Sequence, residues 1–265
     1  MADINAAFKA KMVQRKWAAM GVLFLAAVIF PMAPGVESWM ASEATLIIMY
    51  IMAAQGVSIL TGYTGLVTVG HGGFLAVGAY ASALSTKYLG TDLITGMFVG
   101  AAMSAFVGWA LGLVFLRLSG AFMAIGTLGF AFFVGTVVNN VPIFEGREGI
   151  SLPKNHVIGF EIGDIGFYYT ALAALGVTTL FVSLLVRSGV GRAFMALRDS
   201  EKAAEASGVN RVFYRTLAFS LSAAVTGVAG VLFAHYVNYV SSEVFADIWD
   251  SVDFLVATAV GGSAV

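Results

Sequence analysis

The chain has 265 residues, 59% of them hydrophobic and 11% charged, with a mean hydropathy of +0.90 and a formal net charge of -1. Soluble domains carry about 25% charged residues, so a chain of this composition cannot hide its apolar surface from water by folding alone, and its solvent is lipid. The balance of charge excludes a nucleic-acid partner, and the absence of cysteine excludes both a disulfide framework and a thiolate metal site.

In chain order, Lys9, Lys11, Arg15 and Lys16 precede an apolar stretch from Trp17 to Phe30. This has the outline of a secretory signal, but Pro31 and Pro34 stand where a cleavage site needs small residues. The stretch reads as a retained first span, residues 17–34, with a cytoplasmic start. Further spans are predicted at 41–61, 66–88, 93–116, 121–141, 166–186 and 213–236, each near the roughly 20 residues that cross a hydrocarbon core as a helix. An eighth begins near Val252. Residues 252–265 cover only about 21 Å as a helix, short of a core roughly 30 Å thick, so a C-terminal continuation is expected. The predicted fold is all-α, a polytopic transmembrane helical bundle of about eight spans, forming one integral membrane domain over 1–265.

The charges agree with this order of crossings. If the chain starts inside, Lys9, Lys11, Arg15, Lys16, Arg117, Arg187, Arg192, Arg198, Lys202, Arg211 and Arg215 are cytoplasmic, and only Lys87, Arg147 and Lys154 are outside. That split follows the positive-inside rule. It makes 188–212 a cytoplasmic loop and 142–165 an external one. Eleven of the 15 acids, including Glu37, Glu43, Glu145 and Asp164, collect outside, where they either steer a basic external partner or simply complement the cationic inner face.

Four segments stand out as candidates. The stretch Thr61 to Phe74 holds Gly62, Gly65, Gly70, Gly72 and Gly73 between two apolar helices. An interior glycine costs a helix about 1 kcal/mol against alanine, so a helix broken near 62–73 is predicted. Non-helical backbone at membrane depth is allowed only where protein or a water-filled cavity satisfies its amides. The other reading is close packing through small residues, for which the pairs Gly96/Gly100 and Gly108/Gly112 also qualify. His71 is the titratable group of this stretch, either functional or bonded to a neighbouring carbonyl. The second segment is Gly126-Thr127-Leu128-Gly129, with Asn139 and Asn140 at the outer end of its span, lining a path or capping a helix. The third, Gly191 to Gly208, has the signals of a short surface helix: Asp199 or Ser200 at its start, Glu201 in its first turn and Gly208 to end it. Phe194 and Leu197 beside it either seat in a groove of a cytoplasmic partner or belong to a solvated loop. The fourth is the acidic exterior. A pocket for a small solute needs an apolar lining with a few hydroxyl or amide groups; Phe74, Tyr80, Thr127 and Phe130, with Gly70, His71, Gly72 and Gly73, are the candidates for such a path.

Gly62 to Tyr80, Leu118 to Phe130, and Gly191 to Gly208 with Leu217-Ala218-Phe219 and Gly227-Val228-Ala229-Gly230 resemble the LivM-type permease of branched-chain amino-acid ABC importers, in the family's order. The resemblance implies a LivH-type sister permease, two cytoplasmic ABC ATPases and a periplasmic solute-binding protein around a chain in the cell inner membrane. It implies that Gly191, Arg192, Leu197, Arg198, Glu201, Ala204 and Gly208 belong to a segment coupled to an ATPase. No cofactor is then expected on this chain, which is not an enzyme; ATP and Mg belong to the partner ATPases. The residues themselves agree on one point: no lysine follows a glycine pattern that would cradle phosphates. Energy comes from another polypeptide or from a gradient. Asp, Glu, Lys and Arg fall at span ends or in loops, which disfavours a proton-coupled carrier; sodium coupling through backbone carbonyls and a passive channel stay open, and so does a urea or short-amide solute.

Overall fold

The computed structural model describes residues 21–32, 37–118, 120–146, 148–153, 156–157, 160–241 and 248–261. The basic residues Lys9, Lys11, Arg15 and Lys16, and Gly262 and Ser263 at the other terminus, lie outside this set. A short helix α1, Gly21–Met32, is followed by α2, Ser38–Val57, which continues into a π-helical turn, Ser58–Tyr63. Then come α3, His71–Leu89, α4, Leu93–Val114, and α5, Ala121–Asn140. After α6, Asp164–Arg187, the chain forms two short helices, α7, Gly189–Asp199, and α8, Glu201–Ala206. The long α9, Arg211–Val237, and α10, Ile248–Val260, complete the bundle. Two-residue strands β1, Ile150–Ser151, and β4, Tyr239–Val240, pair antiparallel across the α5–α6 connection, and β2, His156–Val157, pairs with β3, Phe160–Glu161.

Among the described residues, five helices are long and apolar enough to cross a membrane: Trp39–Tyr63, Leu93–Val114, Ala121–Asn140, Asp164–Arg187 and Arg211–Val237. The chain is a multi-pass membrane protein, but the expected count of eight is not met on these criteria. The predicted span at 66–88 is the helix α3, which starts at His71 and buries 13 of its 19 residues, His71, Ser82, Ser85 and Thr86 among them. Shielded by other helices, α3 has no need of the apolar composition that lipid demands. Apolar α1 and the end of α10, Ser251–Val260, are shorter than a crossing within the described residues.

The centre of the bundle is made by α3, α4 and α9, and it is held by small residues. In lipid the solvent is as apolar as leucine, so helices associate through close packing and hydrogen bonds rather than by escape from water. A Cβ on Gly78 of α3 would overlap the carbonyl of Gly227 on α9, and one on Gly230 would overlap the carbonyl of Leu75. The predicted pairs of α4 do the same: Gly100 lies against Val231 and the Gly78 backbone, Gly108 against Ala223 and Phe219, and Gly112 against Thr216. Helix α6 stands further out, with Tyr168 donating to the carbonyl of Ala27 on α1 at 2.7 Å.

The turns at 62–65 and 115–118 and the segment 188–212 meet at one end of the bundle, here the basic end. The opposite, acidic end holds the α5–α6 connection, where an ion pair joins Lys87 to Glu145 and the hydroxyl of Tyr239 donates to the carbonyl of Glu148 at 2.8 Å.

Gly78→Val places a side chain against backbone that cannot yield; overpacking of this kind typically destabilises by about 1–3 kcal/mol. Gly129→Ala, where no atom lies within 4 Å of the new Cβ, should be neutral. Thermal unfolding of the two variants in detergent, followed by size-exclusion fluorescence, should lower the midpoint only for Gly78→Val.

Candidate functional site

The predicted helix break is present, and its limits follow from backbone chemistry. The turn Ser58–Tyr63 widens to π geometry, Gly65 takes φ +70°, and residues 65–70 are not helical before α3 begins at His71. Gly65 is required twice over: its φ is left-handed, and a Cβ there would approach the Arg198 side chain to 2.8 Å. The freed amides find protein partners, as lipid-buried backbone must. Leu66 N–H donates to the carbonyl of Leu60 at 3.0 Å, Val69 N–H to the hydroxyl of Thr127 on α5 at 3.0 Å, and Gly72 N–H to the hydroxyl of Ser251 on α10 at 2.8 Å.

The structure brings most of the predicted path residues together in one packed cluster. Gly70 lies against the Thr127 carbonyl and Gly73 against the Phe130 ring, while Phe74 meets Phe130 with ring centroids 5.0 Å apart. His71 is buried within bonding reach of side chains and of backbone: its Nε2 is 2.7 Å from the hydroxyl of Ser222, which in turn donates to the carbonyl of Gly56, its Nδ1 is 3.3 Å from the hydroxyl of Thr68, and the Gly56 backbone is also a partner of the imidazole. A second such pair, Ser82 and His235 at 3.0 Å, joins α3 to α9 further along the same parallel helices. Tyr80 lies apart from the cluster, its ring edge-on to Phe144 at 5.6 Å under the acidic-end loop. Asn140 donates to the carbonyl of Thr136 at 2.8 Å at an exposed helix end, which matches the capping role.

The segment 188–212 is two helices rather than one. Ser188 caps α7 by accepting from Val190 N–H and Gly191 N–H; Ser200 caps α8 by accepting from Ala203 N–H at 3.3 Å, and Gly208 follows with φ +85°. Phe194 and Leu197 are buried in this chain at 1% and 5% exposure, Phe194 edge-on to Tyr214. Their seating in a partner's groove is therefore corrected: α7 is strongly amphipathic, and its apolar side is used to hold it to the bundle, with Gly191 and Ala204 also buried.

Three arginines in and beside this segment cap helices. Arg198 donates to the carbonyl of Gly62 at 2.8 Å, and Arg211 and Arg215 donate to the carbonyl of Leu116 at 2.9 and 3.4 Å. These are carbonyls at the C-terminal ends of α2 with its π turn and of α4, which lack helical partners and carry partial negative charge. Glu201 neutralises the cluster, paired with the buried Arg215 and with Arg211 Nε at 3.3 Å; Glu205 stands 3.9 Å from Arg211. Arg192, Lys202, Ala203, Ala206 and Ser207 are exposed at the end face.

Sequence reasoning missed a cleft of about 640 Å³ between α2 and α10. Its polar lining is Glu43, Tyr50, Gln55, Ser58, Tyr63 and Thr258. The signal that might have found it is an amide, Gln55, within an otherwise apolar span.

Glu201→Ala strands the Arg215 guanidinium, whose side chain is 5% exposed. Leaving a buried charged group without its partner costs about 1–3 kcal/mol or more, and Glu205→Ala, at an exposed pair, costs at most about 1. Limited trypsin digestion in membranes should therefore cut after Lys202 faster in the first variant and unchanged in the second.

A family model described as branched-chain amino acid transport system / permease component matches residues 39–264. The permease protein LivM of the high-affinity branched-chain amino acid transport system of Escherichia coli is 35% identical over 245 residues, 83% of this chain and 57% of that protein. LivH of the same organism is 27% identical over 223 residues, covering 76% of this chain and 71% of LivH. The autoinducer 2 import system permease protein LsrC of Yersinia pestis is 27% identical over 204 residues, 77% of this chain and 53% of LsrC. The match therefore spans little more than half the length of LivM. No solved structure matches the chain. With the helical bundle, the buried small-residue core and a family match over nearly its whole length, the chain belongs to the permease component family of branched-chain amino acid transport systems.

Proposed function

We propose that this chain is a transmembrane permease subunit of an ATP-binding-cassette importer that moves branched-chain, hydrophobic amino acids into the cytoplasm. The names of its LivM and LivH relatives support the solute class. The excess of Lys and Arg at the basic end supports a cytoplasmic location for that end and for the N-terminus, in the inner membrane. The partners are a LivH-type sister permease, two cytoplasmic ATPases and a periplasmic solute-binding protein that meets the acidic end. The chain is a transport subunit; ATP and Mg are bound and ATP is hydrolysed on the partners.

One observation carries this reading: the segment 188–212 is bolted to the helix break. Arg198 holds the carbonyl of Gly62 and packs on Gly65, while Glu201 holds Arg211 and Arg215 at the start of α9. When an ATPase presses on the exposed residues around Arg192 and Lys202, the displacement enters the 62–65 turn, passes along residues 65–70 into the start of α3, and reaches the cluster of His71, Phe74, Thr127 and Phe130. Alternating access then amounts to re-packing these contacts.

Arg198→Glu removes the contact with Gly62 and repels the nearby carboxylates. In proteoliposomes holding the complete importer, leucine uptake should fall about tenfold, in the range of an ordinary coupling free energy, while ATP hydrolysis by the partners continues and the chain still inserts. Wild-type uptake by this variant would refute the coupling role. The purified chain alone should move no leucine with or without ATP; unaided transport would make it a carrier or channel, and uptake of urea in preference to leucine would move the solute to the short amides.

A further inference from the structure

At the acidic end the α5–α6 connection is fastened in two different ways. Residues 148–152 are built into the core. Ile150 and Ser151 pair with Val240 and Tyr239, Leu152 N–H donates to the carbonyl of Asn238 at 2.9 Å, and both Ile150 and Leu152 are buried. Residues 142–146 lie over α3 and are held by less. Phe144 sets its half-buried ring edge-on to Tyr80 at 5.6 Å, and Glu145 pairs with Lys87 at the end of α3. The side chains of that pair are 36% and 35% exposed, and ion pairs so open to water contribute little. Two features work against the contact. Glu145 has φ +58°, a left-handed backbone that a residue with a side chain resists. The hydroxyl of Tyr80, a residue 3% exposed, has no hydrogen-bond partner among the described residues, and a buried hydroxyl without one is unfavourable.

We propose that residues 142–146 are a hinged lid on the outer end of α3, caught by the Lys87–Glu145 pair, and that ionic strength at the acidic end sets how often the lid lifts. When it is down, the connection ties α3, through Glu145, to the end of α9, through β1 and β4. When it lifts, water reaches the Tyr80 hydroxyl and Glu145 leaves the left-handed region, so opening relieves both features that oppose the contact. The attachment at 148–152 stays. Salt acts on the catch alone: the Debye length falls from about 10 Å at 0.1 M to about 3 Å at 1 M, which weakens attraction between exposed charges. The β1–β4 bonds and the buried Ile150 and Leu152 are uncharged and do not respond. Helix α3 begins at the break beside His71, so the lid restrains the far end of the helix that the break sets free.

The chain has no cysteine of its own, which allows single reporters. Phe144→Cys and Tyr80→Cys place a thiol on either side of the contact, and Leu152→Cys marks the fastened part. Each is treated, in membrane vesicles that present the acidic end, with a cationic methanethiosulfonate, which attacks thiolates formed in water. Salt lowers the concentration of a cationic reagent near an acidic surface, so any gain in rate comes from the lid. From about 0.1 M to about 1 M sodium chloride both lid reporters should react faster, by at most about fivefold, the limit set by one surface ion pair. Leu152→Cys should stay slow throughout. With Lys87→Gln added, the lid reporters should be fast at low salt and gain nothing from more. Tyr80→Phe, which removes the unpartnered hydroxyl, should slow Phe144→Cys. Lid reporters indifferent to salt, or quickened by it as much with Lys87→Gln, overturn the catch; Leu152→Cys quickening alongside them overturns the hinge. The rates are read without solute, so they stand or fall apart from the permease reading.

Discussion

The approach of backbones in the α3–α4–α9 core is the constraint on which the rest depends. Where Gly78 meets Gly227, and Gly230 meets Leu75, the helices are closer than any side chain would allow. Water does not drive this contact, since the surroundings are hydrocarbon; dispersion between closely matched surfaces and hydrogen bonds such as Ser104 to the carbonyl of Phe74, at 3.2 Å, must suffice. A rigid centre results, and the more loosely held elements, α1, α5, α6 and α10, are arranged around it.

That centre makes the interruption of the helix at 65–70 tolerable. An unwound stretch in lipid exposes amides at several kcal/mol each. Here Thr127, Ser251 and Thr68 supply acceptors, and each of the first two belongs to a different helix. The break is therefore a junction of α5, α10 and α3, so a change at any one of them is felt by the others. His71 ties the junction to α9 and α2 through Ser222 and Gly56.

The cations at the basic end have two jobs that reinforce each other. By number they orient the chain. By position, Arg198, Arg211 and Arg215 close the ends of two helices, where they meet carbonyls that helical bonding leaves over. The segment 188–212 is held by these contacts and by the buried Phe194 and Leu197, so it is fastened to the ends of α2, α4 and α9 rather than standing off as a free loop.

Composition and spacing determined that the chain lives in lipid, where its five span-length helices fall to within a few residues, that a helix breaks near 62–73, and that Ser200 and Gly208 bound a short helix, because each of these follows from local rules of length, hydropathy and backbone preference. The glycine pairs of α4 were legible as packing motifs, but not their partners on α3 and α9. What only the tertiary structure decided is which side chains face one another. Phe194 and Leu197 turned inward rather than toward a partner, His71 reached Ser222 at a separation of 151 residues, Tyr80 stood apart from the cluster it was grouped with, and Gln55 came to line a cleft. Around a helix in lipid nearly every position is apolar, so the pattern that marks the inner face of a soluble helix is missing, and the rotation of each span is set by its neighbours alone.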